Sequence, residues 1–249
     1  MAQVTPLLAG ALLGHRYRLG GVLGKGGMGV LLAALDEPTG TQVALKQLLD
    51  AGQGGLEGFR REYELLSGLS HPALPRALSW GTEHLPSGPV HYYVRDYVAG
   101  ETLRRCGGGE RAARALRDVL SALDCLHRVG FLHGDVTPDN VLVTPEGRGV
   151  LIDLGCARPF GSGATTVSGT PGYLAPELLD GGAFDGRADL YALGLTLREC
   201  FAERLPAAWK GLVGSLCAAE PGRRPESARD AAARLGRGAS QFEEVLRSP

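Results

Sequence analysis

Short apolar runs separated by glycine-rich turns fill the first third of the chain, the pattern of strands. They run from Tyr17 to Leu23, Val30 to Leu35 and Gln42 to Leu48, with Thr39-Gly40 marking a turn and Gly52 to Gly55 a loop. Between Leu56 and Leu69 the period changes. Phe59, Tyr63, Leu66 and Leu69 recur every three or four residues, the signature of one helix face. His71-Pro72 ends that helix, because a residue before proline is driven out of the helical region. Val90 to Val98 predicts one more strand before Ala99-Gly100 breaks the pattern.

Helical spacing dominates the remainder. Leu116, Val119, Leu120, Leu123 and Leu126 share one face of a helix predicted over Glu110 to Val129, with Gly130 as its stop. Val141 to Val143 and Val150 to Leu154 predict two strands around a Pro145-Glu146-Gly147 turn. Gly155 to Pro171 is a long polar loop, a length that inside a compact domain marks function. Helices are expected over Pro176 to Leu179, Ala188 to Cys200, Ala207 to Cys217 and Ser227 to Leu235. The strand-rich and helix-rich parts predict two lobes that meet near Asp96 to Gly100.

Composition narrows the function classes. The chain has 249 residues, with 26 Lys and Arg against 27 Asp and Glu, a net charge of -1. A general electrostatic grip on nucleic acid or an anionic membrane is not expected. The 38 glycines are an excess without a Gly-X-Y period. Five cysteines, an odd number with no Cys-x-x-Cys pair, argue against a disulfide framework and for a reducing compartment. No apolar run reaches the ~20 residues that span a bilayer. A soluble, cytoplasmic protein is expected.

The chemistry is carried by ordered motifs. Gly24-Lys25-Gly26-Gly27-Met28-Gly29 forms a glycine-rich loop, with Val30 read as the valine that closes a Gly-x-Gly-x-x-Gly-x-Val pattern. Glycines let the backbone approach phosphate oxygens with no Cβ in the way. Strand-like sequence follows this loop, where a dinucleotide fingerprint would run into a helix. A strand–loop–strand flap over phosphates is the protein-kinase arrangement. Val43-Ala44-Leu45-Lys46 comes next, then His133-Gly134-Asp135-Val136-Thr137-Pro138-Asp139-Asn140, Asp153-Leu154-Gly155, and Gly169-Thr170-Pro171-Gly172-Tyr173-Leu174-Ala175-Pro176-Glu177. A base, a metal-binding amide and a metal-binding carboxylate at this spacing are what in-line phosphoryl transfer requires.

On these residues the sequence resembles the eukaryotic-like (Hanks-type) Ser/Thr protein kinases of bacteria, over roughly Arg16 to Leu235. The resemblance implies an α+β, bilobal kinase-like fold with ATP and Mg²⁺ (or Mn²⁺) in the cleft between lobes and a protein hydroxyl as substrate. The domains it implies are an extension over 1–13, the first lobe over 14–98, the second over 99–235, and a tail over 236–249. By position, Lys46 would hold the phosphates and pair with a helix glutamate. Glu62 and Glu64 are the candidates, and Glu62 fits the family spacing to Pro72. Asp135 would be the catalytic base, with Asn140 and Asp153 on the metal, and Thr170 in Gly169-Thr170-Pro171 would be a further catalytic-site residue, the one a Ser/Thr rather than a Tyr kinase shows. The nucleotide would lie among Leu23, Gly24, Lys25, Gly26, Gly27, Gly29, Val30, Ala44, Arg95, Asp96, Val98, Leu142 and Asp153, with the adenine between Val30, Ala44 and Leu142. Leu66, His133 and Leu154 would stack in a core column. Glu177 would pair with Arg224, and Asp189 would anchor the backbone of the catalytic loop.

Several positions depart from the family pattern. Gly134 replaces the arginine that receives a phosphorylated activation loop, so phosphorylation at Thr165, Thr166 or Ser168 is not expected to control activity. Thr137 replaces the lysine that steadies the transferring phosphate. Losing one such stabiliser costs about 3 kcal/mol, or 10²–10³ in rate, so a slow enzyme is expected unless another cation, such as Lys25, substitutes. Arg95 falls at the back of the adenine pocket. It is either paired there, with Glu62 or Asp153, or one position out of register, or outward-facing at a strand end. Gly107-Gly108-Gly109 and the stretch between Cys200 and Leu216 are short for the family, which trims the surface that docks substrates. Cys156 follows Asp-Leu-Gly and reads as a packing residue. Two other readings stand beside the protein kinase: a pseudokinase that binds nucleotide as a scaffold, and a small-molecule kinase, whose catalytic string is also His-Gly-Asp. A regulatory partner protein is expected, and Phe242, Val245 and Leu246 predict a helical tail that packs back on the domain.

Overall fold

The computed structural model describes residues 7, 9–27, 29–49, 54–86, 88–161, 168–202, 205 and 207–235. Met28, Thr165, Thr166, the tail from Gly236 and most of the expected N-terminal extension lie outside the described residues. The chain divides into two compact units, one running to Ser70 with Pro75–Val98 added, the other made of His71–Leu74 and the residues from Ala99 onward.

In the first unit, strands β1 (Leu12–Leu13), β2 (Tyr17–Lys25), β3 (Gly29–Asp36), β4 (Thr41–Leu48), β5 (Ala77–Leu85) and β6 (Gly88–Asp96) form one antiparallel sheet in the order β1-β2-β3-β4-β6-β5. Helix α1 (Gly55–Gly68) completes the unit. Strand alternation gives the sheet two faces. One buries Leu13, Tyr17, Leu19, Val30, Leu32, Ala34, Val43, Leu45, Tyr92 and Val94 in a single apolar cluster. On the other face, Leu31, Lys46, Tyr93 and Trp80 stand in register across β3, β4, β6 and β5. There α1 is held by aromatic rings: Phe59 lies 5.1 Å from Tyr93 and 5.4 Å from Trp80, and Tyr63 lies 5.5 Å from Trp80.

Strand β5 has no counterpart in the sequence reading. It is the edge of the sheet, and Thr82, Glu83 and His84 give it little apolar patterning, so pairing with β6 rather than burial sustains it. Strand β6 also stops at Asp96, two residues before the expected Val98.

The second unit contains the long helix α2 (Glu110–Arg128), whose buried face includes Leu116, Val119, Leu120, Leu123 and Leu126 as the spacing predicts. Strands β7 (Glu101–Thr102), β9 (Val141–Val143) and β10 (Gly149–Leu151) form a small sheet in the order β10-β9-β7, and β8 (Phe131–Leu132) pairs with β11 (Arg158–Pro159). The strand expected to reach Leu154 ends at Leu151. Asp153 adopts φ 68, a left-handed conformation that no strand residue takes. Helices α3 (Pro176–Leu179), α4 (Arg187–Phe201) and α5 (Ala207–Leu216) follow, and residues 228–235 are helical. Among the described residues no helix is long and apolar enough to cross a membrane.

Candidate active site

The first unit supplies a lysine on a strand and a glutamate on a helix. Lys46 Nζ donates to both carboxylate oxygens of Glu62, at 2.7 and 2.9 Å. Glu64, two residues on and so on the far side of the helix, is exposed and pairs with Arg60, so of the two glutamates it is Glu62 that meets Lys46. The glycine-rich turn is closed by the Gly26 N–H donating to the Gly29 carbonyl at 2.9 Å. Leu23, Gly24, Lys25, Gly26 and Gly27 are all exposed.

The second unit supplies a loop held by a buried aspartate. Asp189, near the start of α4, accepts the N–H of His133 at 2.8 Å and of Gly134 at 2.9 Å. His127, on α2, reaches the same carboxylate at 2.8 Å. Burial alone would raise the Asp189 pKa, but the bonds from His127 and the loop N–H groups outweigh it and hold the carboxyl below its ordinary range. His133 is fully buried, which pushes its pKa down and keeps the imidazole neutral.

Past this anchor the loop presents Asp135. Its Oδ2 accepts from Asn140 Nδ2 at 2.8 Å and its Oδ1 accepts the Thr170 N–H at 2.8 Å. Asn140 also donates to the Asp135 carbonyl at 2.9 Å. Both carboxylate oxygens are thereby oriented by neutral donors. The Asn140 carbonyl accepts the Ile152 N–H at 2.9 Å, which brings the next residue, Asp153, alongside this loop. The Gly155 N–H donates to Asp153 Oδ1 at 3.1 Å and fixes that side chain on its left-handed backbone.

Two glycines make the loop possible. Gly134 has φ 79, and a Cβ there would lie 2.6 Å from the Cys156 carbonyl oxygen. Gly169 has φ 137, and its Cβ would lie 2.6 Å from the Gly134 carbonyl oxygen. The backbones of three segments touch where other residues would hold them apart.

Arg224 ties the lower part of this unit together. Its side chain is 0 % exposed, and its guanidinium donates to both oxygens of Glu177, at 2.6 and 2.8 Å. The remaining donors go to the carbonyls of Ala218, Arg187 and Ala219, and the Tyr191 ring lies 4.8 Å away.

The order of these parts along the chain decides the family. Residues 17–214 match the model of the protein kinase domain. The chain belongs to the protein kinase domain family. It is 36 % identical over 209 residues to a probable serine/threonine-protein kinase of Streptomyces coelicolor, covering 78 % of this chain and 31 % of the relative. It is 35 % identical over 202 residues to the serine/threonine-protein kinase PknB of Mycobacterium tuberculosis, covering 75 % and 32 %. It is 36 % identical over 215 residues to the serine/threonine-protein kinase PksC of Streptomyces coelicolor, covering 79 % and 39 %. The chain spans about a third of the length of these relatives.

In this kinase domain two expectations need correction. Val30 does not face the side of the sheet that carries Lys46. It is fully buried in the opposite apolar cluster, and Leu31 is the residue of β3 that pairs with Lys46 on β4. Strand alternation is the reason: Ala44 and Lys46 share a face with Ala33 and Leu31, not with the even-numbered residues of β3. Arg95 is not an outward-facing strand-end residue. It is only 6 % exposed, opposite Ala44 on β6, and its Nε meets no hydrogen-bond acceptor among the described residues.

The other positions singled out sit as follows. Ala44 is buried, and Leu142 is half-buried on β9. The Asp96 carboxylate is taken by Arg76, at 2.9 and 3.1 Å, and Val98 is half-buried. Leu66, His133 and Leu154 are each buried within their own units. Thr137 is buried, and its carbonyl accepts the Asn140 N–H at 3.1 Å. Cys156 Sγ lies 3.3 Å from Ser168 Oγ.

A polar group that no motif announced lies beside Asp139. Arg104 approaches Asp139 at 3.6 Å and also binds Glu199, which accepts the Tyr173 hydroxyl on its other oxygen. Desolvation and the neighbouring Glu199 carboxylate push Tyr173 up to about 12, so it remains a donor. Spacing could not reveal this triad, because its members come from three distant segments. Tyr93 also escaped the sequence reading, and it donates to Glu62 at 2.7 Å.

Proposed function

We propose that this chain is a Ser/Thr protein kinase domain that transfers the γ-phosphoryl group of ATP to a protein hydroxyl. The observation that carries the proposal is the setting of Asp135, whose two oxygens are aimed by Asn140 Nδ2 and the Thr170 N–H. A carboxylate so held, with open lone pairs, can accept the proton of an attacking hydroxyl. Thr170 lies in the segment that would present that hydroxyl.

Lys46, oriented by Glu62, would hold the nucleotide phosphates. Among the described residues no group of three or more His, Cys, Asp and Glu is placed to hold a metal. Magnesium in nucleotide sites is ordinarily held by one or two carboxylates together with the phosphates. Asp153 and the amide of Asn140 are oxygen donors of that kind. Mg²⁺ (or Mn²⁺) there would neutralise charge on the transferring phosphoryl group. Gly134 offers no guanidinium to a phosphorylated loop, so activity should survive alanine at Thr165, Thr166 and Ser168 together.

One observation favours a second reading, a nucleotide-binding scaffold without turnover. The loop from His133 to Asn140 contains no cation, and Thr137 is buried where the family has a lysine. Labelled ATP with Mg²⁺ or Mn²⁺ separates the readings, with Asp135→Asn and Lys46→Met as controls and both a basic protein and small hydroxyl compounds as acceptors. Label on protein that both substitutions abolish supports the kinase. A melting temperature raised by ATP without label supports the scaffold. Label on small hydroxyl compounds alone points to a small-molecule kinase.

A further inference from the structure

We infer that Tyr93 is a positioning residue that locks Glu62, and with it helix α1, onto Lys46. Tyr93 stands on β6 directly opposite Lys46 on β4, so both side chains leave the same face of the sheet. Its hydroxyl donates to Glu62 Oε1 at 2.7 Å, the oxygen that also accepts from Lys46 Nζ at 2.7 Å. The glutamate is thus gripped by two neighbouring strands at once. If Lys46 turned toward a phosphate, the hydroxyl would still hold the carboxylate.

The donor cannot wander or ionise. Tyr93 is 1 % exposed, and its ring packs 5.1 Å from Phe59 and 5.9 Å from Tyr63, both on α1. Burial first, and the Glu62 carboxylate with it, drive the phenol pKa far above its ordinary value, so the proton stays on the hydroxyl. Hydrogen bonds to ionised groups are the strong ones, and this one is out of water. The ring alone would place α1 near the sheet. The hydroxyl sets where along the sheet Glu62 comes to rest.

Tyr93→Phe keeps the ring contacts and removes only the donor. The test is amide hydrogen exchange over Gly55–Gly68 in the nucleotide-free protein. Exchange there should rise on the order of tenfold, while α2 exchanges as in the parent. In a Glu62→Gln background the same change should add little, since the charged partner is gone. Unchanged α1 exchange in Tyr93→Phe, or an effect of equal size with Glu62→Gln, would overturn the inference. Where phosphotransfer is measurable, KM for ATP should rise and kcat move less. That catalytic consequence rests on the proposed function, but the exchange readout does not. A protein that neither binds ATP nor transfers phosphate would therefore end the kinase reading and leave the Tyr93 comparison decisive.

Discussion

Arg224 has five N–H donors, and every one finds an acceptor: two on Glu177, and the carbonyls of Ala218, Ala219 and Arg187. Replacing it with Met keeps an unbranched apolar stem and removes the charge. The change strands a carboxylate whose side chain is 11 % exposed, together with three backbone carbonyls. Breaking a buried, hydrogen-bonded pair from one side costs about 3–5 kcal/mol. For a domain of this size each kcal/mol moves the melting temperature by about 2–4 °C, so a fall of roughly 6–20 °C is expected. Urea titration of both proteins gives the free energy directly, with an unchanged m-value showing that the unfolded states match. Substituting Glu177→Leu as well should return part of the loss, because the unpaired charge disappears. A loss below about 1 kcal/mol for Arg224→Met would show that water or relaxation satisfies Glu177, and the account of this pair would be wrong.

Arg95 differs from Arg224 at one atom: it is buried, and its Nε meets no acceptor among the described residues. Arg95→Met should raise stability by about 1–2 kcal/mol in the same titration, and a clear loss would refute the assignment. Asp189 is held below its ordinary pKa of 3.8, so its bonds stabilise the fold fully above that value and are lost as pH falls through the folded one. Acid titration should therefore be steeper for the parent than for Asp189→Asn below about pH 4, and parallel curves would contradict this. Burial pushes the Cys200 thiol up to about 11 and raises Cys106 and Cys217 as well. Iodoacetamide at pH 8 should leave these three unmodified in the folded protein, as read by mass spectrometry, and label them after unfolding.

Much of the fold is legible in the chain because its strongest signals are local. The α2 stripe needs only leucine and valine at helical spacing, and the glycine-rich turn, the Lys46 strand and the Asp135 loop each announce themselves within a few residues. What stays hidden is set by pairing across the sheet or between distant segments. Edge strand β5 is sustained by β6, not by its own pattern. The face of Val30 depends on a parity that only the register with β4 reveals. The strand through Leu151 stops short of Asp153, whose left-handed backbone no strand pattern announces. The Arg104–Glu199–Tyr173 group joins side chains far apart in sequence, and the Tyr93 hydroxyl is one atom that no hydrophobic pattern records.

Gly134 has a consequence for how this domain can change over time. Arginine lies a single-base change from several glycine codons, so by codon alone the loop is one step from an arginine at this position. Here that step is closed. Any side chain at residue 134 starts with a Cβ driven against the Cys156 carbonyl on a left-handed backbone, and the Gly134 carbonyl is in turn packed against Gly169. Placing an arginine at residue 134 would require the segments around Cys156 and Gly169 to shift together. On the proposed kinase reading, control by loop phosphorylation through an arginine at this position would therefore call for a coordinated backbone rearrangement, and grafting it in the laboratory would have to begin with those two segments rather than with the arginine.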